Sequence, residues 1–212
     1  MFEKVISPIT RESLERLSKL ALFQRAYLAG GTALALQLGH RHSHDLDFFT
    51  PEEFDERIAI QQIAQALPDF TLERQDWRTI LGFIGDIRFS LFFYQYPLLF
   101  PPQEFLGIKL ASLRDIAAMK IAAIADRGAK RDFIDLYILI QERHVSSLKD
   151  VLDTYDKKFG KLGQNKLHIL KSLGYFEEAD KEAMPQMIQK VSWEAVRQFL
   201  LQEQEKVAKE LL

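Results

Sequence analysis

The stretch from Tyr27 to Phe49, YLAGGTALALQLGHRHSHDLDFF, constrains the fold more than any other part of the chain. A short apolar run ends in Gly30-Gly31, the next seven residues have the composition of a helix, and Gly39 ends it. A histidine-rich loop then leads to Asp45-Leu46-Asp47-Phe48-Phe49, where acidic and apolar residues alternate. This pattern predicts a strand, a glycine turn, a short helix and a second strand with both carboxylates on one face.

The glycine pair and the acidic pair indicate a phosphate and a metal ion, respectively. Gly30 and Gly31 let the backbone approach a phosphate closely, and the start of a helix offers unpaired N–H groups. Asp45 and Asp47 supply the oxygen ligands that Mg²⁺ prefers. An alternative is an edge strand that carries two incidental acids. The order of the two features favours the metal site, because a phosphate-binding turn before metal ligands is expected of a nucleotidyl-transfer site.

The composition limits the classes of protein that need to be considered. A chain of 212 residues can form one large domain or two small ones. The formal net charge is −2, so any contact with nucleic acid must come from a local patch. The absence of cysteine excludes disulfides and thiolate metal sites. Without a signal peptide or a transmembrane run, the chain is expected to be cytoplasmic and to have no membrane partner.

Periodicity predicts a mixed α/β half, residues 1–110, followed by a helical half, residues 111–212. A capping box, Thr50-Pro51-Glu52-Glu53, predicts a helix start there and a helix that continues to about Ala66. The further predicted strands are 70–77, 79–84, 87–94 and 105–110, and the further predicted helices are 112–127, 130–143, 147–159, 161–173 and 192–212.

A second group of charged residues lies in the helical half: Lys120, Arg127, Lys130, Arg131, Asp132 and Asp135. An ordinary salt-bridged helix pair would explain it. The apolar neighbours of Lys120 predict instead that its ammonium lies near a core, where it needs an anionic partner such as a nucleotide phosphate. His40, His42 and His44 form at best a weak zinc motif, and Arg41 is a further candidate for contact with a triphosphate.

With these residues in place, the chain resembles the AbiEii/AbiGii-type nucleotidyltransferases, toxins of type IV toxin–antitoxin and abortive-infection systems. The resemblance rests on Gly30 to Leu34, on Asp45 to Phe49, on Lys120 with Arg127, and on Lys130 to Tyr137. It implies a polymerase-β-like nucleotidyltransferase fold of class α+β, with a small mixed sheet followed by a helical region. It also implies an enzyme that uses an NTP with Mg²⁺ or Mn²⁺ as cofactor.

The resemblance also implies a role for each matching residue. The catalytic residues would be Asp45, Asp47, Lys120 and Asp132, with Asp135 as a further candidate beside Asp132, and the first two would bind the metal. The nucleotide would be held by Gly30, Gly31, Thr32, Arg127 and Lys130. Many enzymes of this fold carry a third carboxylate on a later strand, but the run from Ile87 to Phe92 has no acid. The general base is therefore Asp132, Asp86 or no residue at all.

The expected function is the transfer of an NMP from an NTP to an acceptor hydroxyl, with the 3′ end of tRNA as the expected acceptor and a cognate antitoxin as the implied partner. Two alternatives remain open. The acceptor could be a protein or small-molecule hydroxyl, which the modest net charge favours, since tRNA binding usually requires a basic face. The chain could also be a catalytically silent nucleotide-binding module, which the missing third carboxylate supports.

Overall fold

The alternating segments of the first half form a seven-stranded mixed sheet in the computed structural model, which describes residues 1–160 and 166–211. The strands are β1 (Tyr27–Leu28), β2 (Leu46–Thr50), β3 (Phe70–Asp76), β4 (Thr79–Ile84), β5 (Ile87–Phe93), β6 (Gln103–Phe105) and β7 (Ile108–Leu110). Their order in the sheet is β3-β4-β5-β2-β1-β7-β6. β2 pairs with β5 in parallel and β1 with β7 in parallel, while the other neighbours are antiparallel. This arrangement places β2 in the middle of the sheet.

The contacts divide the chain into two compact units, Met1–Ser112 and Leu113–Leu212. The helices of the first unit are α1 (Pro8–Leu17), α2 (Ala21–Arg25), α3 (Gly30–Leu38) and α4 (Glu56–Ala66). The core of this unit is aromatic: the Phe23 and Phe48 rings meet edge to face at 4.8 Å, and the Phe70 and Phe89 rings do so at 5.6 Å. Such edge-to-face pairs add to the stability that apolar burial provides.

The second unit is helical. Its helices are α5 (Leu113–Arg127), α6 (Lys130–Gln141), α7 (Leu148–Phe159), α8 (Lys166–Ser172), α9 (Glu177–Lys181) and α10 (Trp193–Leu211). α5 contacts α6, α7 and α8, and α6 also contacts α9 and α10. The predicted α+β class, a mixed sheet followed by helices, is confirmed.

The predicted start at Thr50 of the helix that continues to about Ala66 was wrong. Thr50 is the last residue of β2, where it pairs with Phe93 in the parallel ladder with β5. The chain must then turn, and α4 begins only at Glu56, where Asp55 caps it by accepting a hydrogen bond from the Ile58 N–H at 3.0 Å. The capping-box residues at Thr50 therefore form a turn, in which the Glu52 N–H donates to the Thr50 hydroxyl at 3.2 Å.

The predicted strand from 105 to 110 is instead a hairpin. β6 and β7 are joined by Leu106 and Gly107, both with positive φ, +53° and +76°. Two successive residues of positive φ are typical of a type I′ turn. Leucine is uncommon in that conformation, which is why no turn was predicted at this position.

The other element boundaries differ by smaller amounts. α6 ends at Gln141 rather than Arg143, and α9 was not predicted. In the helix predicted over 161–173, residues 161–165 lie outside the described residues, as does Leu212 at the end of the last predicted helix. Among the helices that the structure describes, none is both long and apolar enough to cross a membrane.

Candidate active site

Asp45 and Asp47 lie at the start of the central strand β2. Leu46 and Phe48 are buried in the core of the first unit, whereas Asp45 and Asp47 are half-buried. The alternation of buried and half-buried residues is the expected consequence of strand geometry, in which neighbouring side chains point to opposite faces. Both carboxylates therefore lie on the side of β2 that does not enter the aromatic core.

The glycine turn packs directly against one of these carboxylates. Gly30 has a φ of +67°, a conformation that favours glycine, and a Cβ at this position would lie 2.8 Å from Asp47 Oδ2. The Ala29 N–H also donates to the Asp47 carbonyl at 3.0 Å. Only a residue without a side chain allows Asp47 to approach the start of α3 this closely.

The N-terminus of α3 has groups that suit a phosphate. Its N-cap, Ala29, has no side chain that could accept a hydrogen bond from the first turn, and that turn contains no acid. The N–H groups of such a turn lack helical partners and attract anions. A Cβ at Gly31 would collide with the guanidinium of Arg41 and lie 3.1 Å from Ser43 Oγ. A cation and a hydroxyl thus lie next to this turn.

Thr32 has a different role from its glycine neighbours. Its side chain is buried, and its hydroxyl donates to the Asp45 carbonyl and lies 3.0 Å from Ser43 Oγ. Its hydrogen bond connects the loop before β2 to α3 and thereby positions the backbone of Asp45. Only the backbone N–H of Thr32 is left for a phosphate.

Ser90 is a site residue that sequence reasoning missed. Parallel pairing of β2 with β5 places Ser90 opposite Asp47, and its hydroxyl donates to Asp47 Oδ1 at 2.6 Å. A serine therefore occupies the place on β5 that is aligned with Asp47, where a third carboxylate would be expected. Only the strand register could have identified Ser90. Ser43 could be identified only from the path of the loop, which brings it next to Gly31.

The carboxylate pair fits a magnesium ion by its chemistry. Mg²⁺ is usually held by one or two carboxylates, with waters and substrate phosphates as the remaining ligands. Asp47 Oδ1 accepts from Ser90, which orients the carboxylate and leaves Oδ2 on the side of the glycine turn. In residues 1–160 and 166–211 no cluster of three or more His, Cys, Asp or Glu side chains could hold a metal ion. A metal here would therefore need oxygen ligands from the nucleotide.

The charged residues of the second unit form a buried ion-pair network. Lys120 Nζ lies 2.7 Å from Asp132 Oδ1 and 2.6 Å from Asp135 Oδ2, and both carboxylates are fully buried. Two nitrogens of the Arg127 guanidinium, Nε and Nη2, each lie 2.9 Å from Asp132 Oδ2. The anionic partner that Lys120 was expected to need is thus supplied by two aspartates of the next helix. The assignment of Lys120, Arg127 and Asp132 to catalysis or nucleotide binding stays a prediction.

The two candidates for the general base are both poorly suited to that role. Burial opposes ionisation of Asp132, but the charges of Lys120 and Arg127 and their hydrogen bonds outweigh it, so the pKa of Asp132 lies below its ordinary value. A carboxylate with a low pKa is a weak base. Asp86 lies in the exposed turn before β5, four residues from Ser90 and so about 13 Å along an extended strand.

Lys130 and the histidines are held by other contacts. The Lys130 ammonium donates to the Glu182 carbonyl and lies 5.1 Å from the centre of the Trp193 ring. Its predicted role in nucleotide binding stays a prediction. His40 is buried, whereas the rings of His42 and His44 stack at 6.4 Å, and the described part of the chain contains no metal-binding group that includes them.

Comparisons with known proteins identify the family of this chain. A family model described as the nucleotidyl transferase AbiEii toxin of the type IV toxin–antitoxin system matches residues 12–77 and 84–210. The protein aq_aa25 of Aquifex aeolicus (strain VF5) is 40% identical over 192 residues, which cover 89% of this chain and 91% of that protein.

Solved structures show the same fold at low identity. The nucleotidyltransferase toxin MenT4 from Mycobacterium tuberculosis superposes with a TM-score of 0.62 and 19% identity, covering 92% of this chain and 81% of that one. JHP933 from Helicobacter pylori gives a TM-score of 0.52 and 20% identity, covering 99% and 94%. The predicted nucleotidyltransferase fold is confirmed. Because the family model matches nearly the whole chain, this protein belongs to the AbiEii family and is a nucleotidyltransferase.

Proposed function

We propose that the chain transfers an NMP from an NTP to a hydroxyl at the 3′ end of an RNA, with tRNA as the acceptor, in a reaction that depends on Mg²⁺ or Mn²⁺. The observation that carries this proposal is the contact between Gly30 and Asp47. In this contact the carboxylate proposed to bind the metal ion lies against the start of α3, where the N–H groups proposed to bind the phosphates are found, within one unit.

In this proposal, some residues of the first unit bind the phosphates of the donor and others orient the two aspartates. The N–H groups of Gly30, Gly31 and Thr32 hold phosphate oxygens of the donor, and the Arg41 guanidinium beside Gly31 offsets their negative charge. Ser90 keeps the carboxylate of Asp47 in one orientation, and Thr32 does the same for the backbone of Asp45. The site is thus preorganised, which reduces the cost of reorganisation during the reaction.

Asp45 and Asp47 would hold the metal ion, which when bound supplies positive charge that offsets the charge developing on the reacting phosphate. The acceptor hydroxyl attacks the α-phosphorus and releases its proton to water, the bond between the α-phosphorus and the α,β-bridging oxygen breaks, and pyrophosphate leaves. Because neither Asp86 nor Asp132 is well suited as a base, we infer that positioning and charge stabilisation provide most of the rate enhancement.

The proposed biological role follows from the family. As a member of the AbiEii toxin family, the chain would act in the cytoplasm as the toxin of a type IV toxin–antitoxin or abortive-infection system and would have a cognate antitoxin. Modification of tRNA would suit such a role, since blocking the 3′ end prevents aminoacylation.

The experiment that tests this function is a labelling assay. The purified protein is incubated with Mg²⁺, total tRNA and each of the four α-labelled NTPs in turn. Periodate-oxidised tRNA, which has lost its 3′-terminal hydroxyls, is the matched control, and EDTA replaces the metal in a parallel series. We expect label on intact tRNA with at least one NTP, and none on oxidised tRNA or with EDTA.

Other outcomes would contradict parts of the proposal. Label on oxidised tRNA would exclude the 3′ hydroxyl as the acceptor. Label on protein or on a small molecule, with tRNA unlabelled, would exclude RNA. Nucleotide binding without transfer to any acceptor would indicate a catalytically silent module.

A further inference from the structure

The second unit contains a cavity lined by two arginines and by none of the candidate site residues described above. Its volume is about 190 Å³, and its walls come from the start of α5, the segment after α6 and the first turns of α7. Its polar lining residues are Arg114, Arg143, His144, Ser146, Asp150 and Thr154. The share of one water molecule in the liquid is about 30 Å³, so the cavity has room for a tetrahedral oxyanion and several waters.

The charges around the cavity favour an anion. Arg114 and Arg143 bring two guanidinium groups, against the single carboxylate of Asp150. That carboxylate is already engaged, since Asp150 Oδ2 accepts from the Ser147 hydroxyl at 3.1 Å at the start of α7. The carboxylate of Glu142 lies outside the lining and contacts His144 Nε2 at 3.2 Å. Two guanidinium groups and one carboxylate therefore line the cavity.

Arg143 adopts a backbone conformation that its side chain does not favour. Its φ is +59°, and its N–H donates to the Ile140 carbonyl at 3.0 Å at the end of α6. Glycine is the usual residue at this place in a helix end, because other residues are strained there. Strained residues are often retained for function. In the described ranges, 1–160 and 166–211, the Arg143 guanidinium forms no ion pair.

We propose that this cavity binds a phosphate group through the guanidinium groups of Arg143 and Arg114, with the hydroxyl of Ser146 as a further hydrogen-bond donor. The planar guanidinium group matches the geometry of a phosphate and can donate two parallel hydrogen bonds to two of its oxygens. The phosphate belongs to the backbone of the acceptor RNA or is free inorganic phosphate or pyrophosphate. The RNA source rests on the proposed function, whereas the free anion does not.

The positive φ of Arg143 makes it possible to remove the charge without destabilising the fold. The substitution Arg143→Gly removes the charge and at the same time relieves the strain at positive φ, so the variant should melt at the same temperature as the wild type or higher. Loss of binding would then not reflect unfolding. Arg143→Lys keeps the charge without the paired geometry.

Arg78→Gly is the matched control. Arg78 also has positive φ, +48°, but it lies in the first unit, where its guanidinium contacts Glu53. Its replacement removes the same charge at the same kind of backbone position, far in sequence from the cavity.

Two binding measurements separate the sources of the phosphate. The affinity for fluorescently labelled tRNA is measured by anisotropy, and the affinity for inorganic phosphate and pyrophosphate by calorimetry. If the ligand is RNA, Arg143→Gly should weaken tRNA binding about tenfold and Arg143→Lys less, while Arg78→Gly binds as the wild type does. If the ligand is a free anion, calorimetry should detect one binding site fewer for phosphate or pyrophosphate in Arg143→Gly than in the wild type and in Arg78→Gly.

Unchanged affinity of folded Arg143→Gly for all three probes would overturn the proposal, as would a wild type that binds none of them. A wild type that binds inorganic phosphate at this cavity but no tRNA would support the cavity and count against RNA as the acceptor. The measurements can therefore contradict the phosphate-binding cavity without contradicting RNA as the acceptor, and the reverse.

Discussion

At the residue scale, Gly30 and Asp47 form the contact on which the proposed chemistry depends. Gly30 is needed twice, once for its φ of +67° and once because a Cβ would press against Asp47 Oδ2. Gly85 has a similar φ, +58°, but no atom lies within 4 Å of the Cβ that it would carry. The two glycines thus separate the effect of backbone strain from the effect of displacing a carboxylate.

The first prediction compares these two glycines. Gly30→Ala and Gly85→Ala should each cost about 1 kcal/mol of stability from the backbone conformation alone. Only Gly30→Ala should also lower kcat, by about tenfold or more, because Asp47 must move. Urea unfolding and steady-state transfer rates on both variants provide the measurement. Equal kcat values in the two variants would contradict the role given to this contact.

Ser90 is the second residue that the site depends on. Its hydroxyl bonds to one oxygen of Asp47, and a hydrogen bond to a charged group contributes about 1.5–3 kcal/mol. Ser90→Ala should therefore lower kcat by about tenfold to a hundredfold, whereas Ser90→Thr, which keeps the hydroxyl, should retain most of the rate. If Ser90→Thr were as slow as Ser90→Ala, packing rather than the hydrogen bond would be responsible.

At the element scale, α5 and α6 are joined by the ion pairs between Lys120, Asp132 and Asp135. Buried carboxylates are costly unless they are paired, and here each has a cationic partner. Removal of one partner from a buried pair typically costs 3–5 kcal/mol, since it leaves a charge without compensation. The network is therefore important for the stability of the second unit whatever its part in catalysis.

The third prediction concerns the pH dependence of this stability. The pKa of Asp132 is lowered in the folded state, so its contribution is fully present above the unfolded value of about 3.8 and is lost as the pH falls below it. Asp132→Asn should lower the free energy of unfolding by about 3–5 kcal/mol at pH 7, and the difference should shrink below pH 4.

Urea unfolding at a series of pH values from 7 to 3 measures this difference. Asp126→Asn is the control, because Asp126 is an exposed residue of α5 that forms no ion pair within the described ranges. A difference between wild type and Asp132→Asn that stayed constant over the series would contradict the ionic origin of the effect.

Elements with strong local signals were predictable from the sequence, and tertiary features were not. The run from Thr79 to Ile84 matches β4 at both ends because its β-rich composition is bounded by turn residues. The start of α4 was misplaced because the pairing of β2 with β5 overrides a local capping signal at Thr50. Ser90 and Ser43 could not be recognised, since only strand register and loop path bring them to Asp47 and Gly31.

At the scale of the whole molecule, the net charge of −2 gives no long-range attraction for RNA. Binding of an RNA acceptor would then rest on a few local cations, and its dependence on salt should be shallow, because the slope reflects the number of phosphates contacted. The cavity lined by Arg143 and Arg114 is one local cationic group that could make such contacts.

The proposed metal site is tested by the transfer rates of three carboxylate variants under identical conditions. Asp45→Asn and Asp47→Asn remove one charge each from the proposed metal site, and Asp86→Asn removes the same charge from an exposed turn on the neighbouring strand pair. We expect the first two variants to remain folded and to lower the rate of transfer from an α-labelled NTP by about a thousandfold, and we expect Asp86→Asn to stay within about twofold of the wild type. A folded Asp47→Asn variant with the transfer rate of the wild type would contradict the proposed metal site.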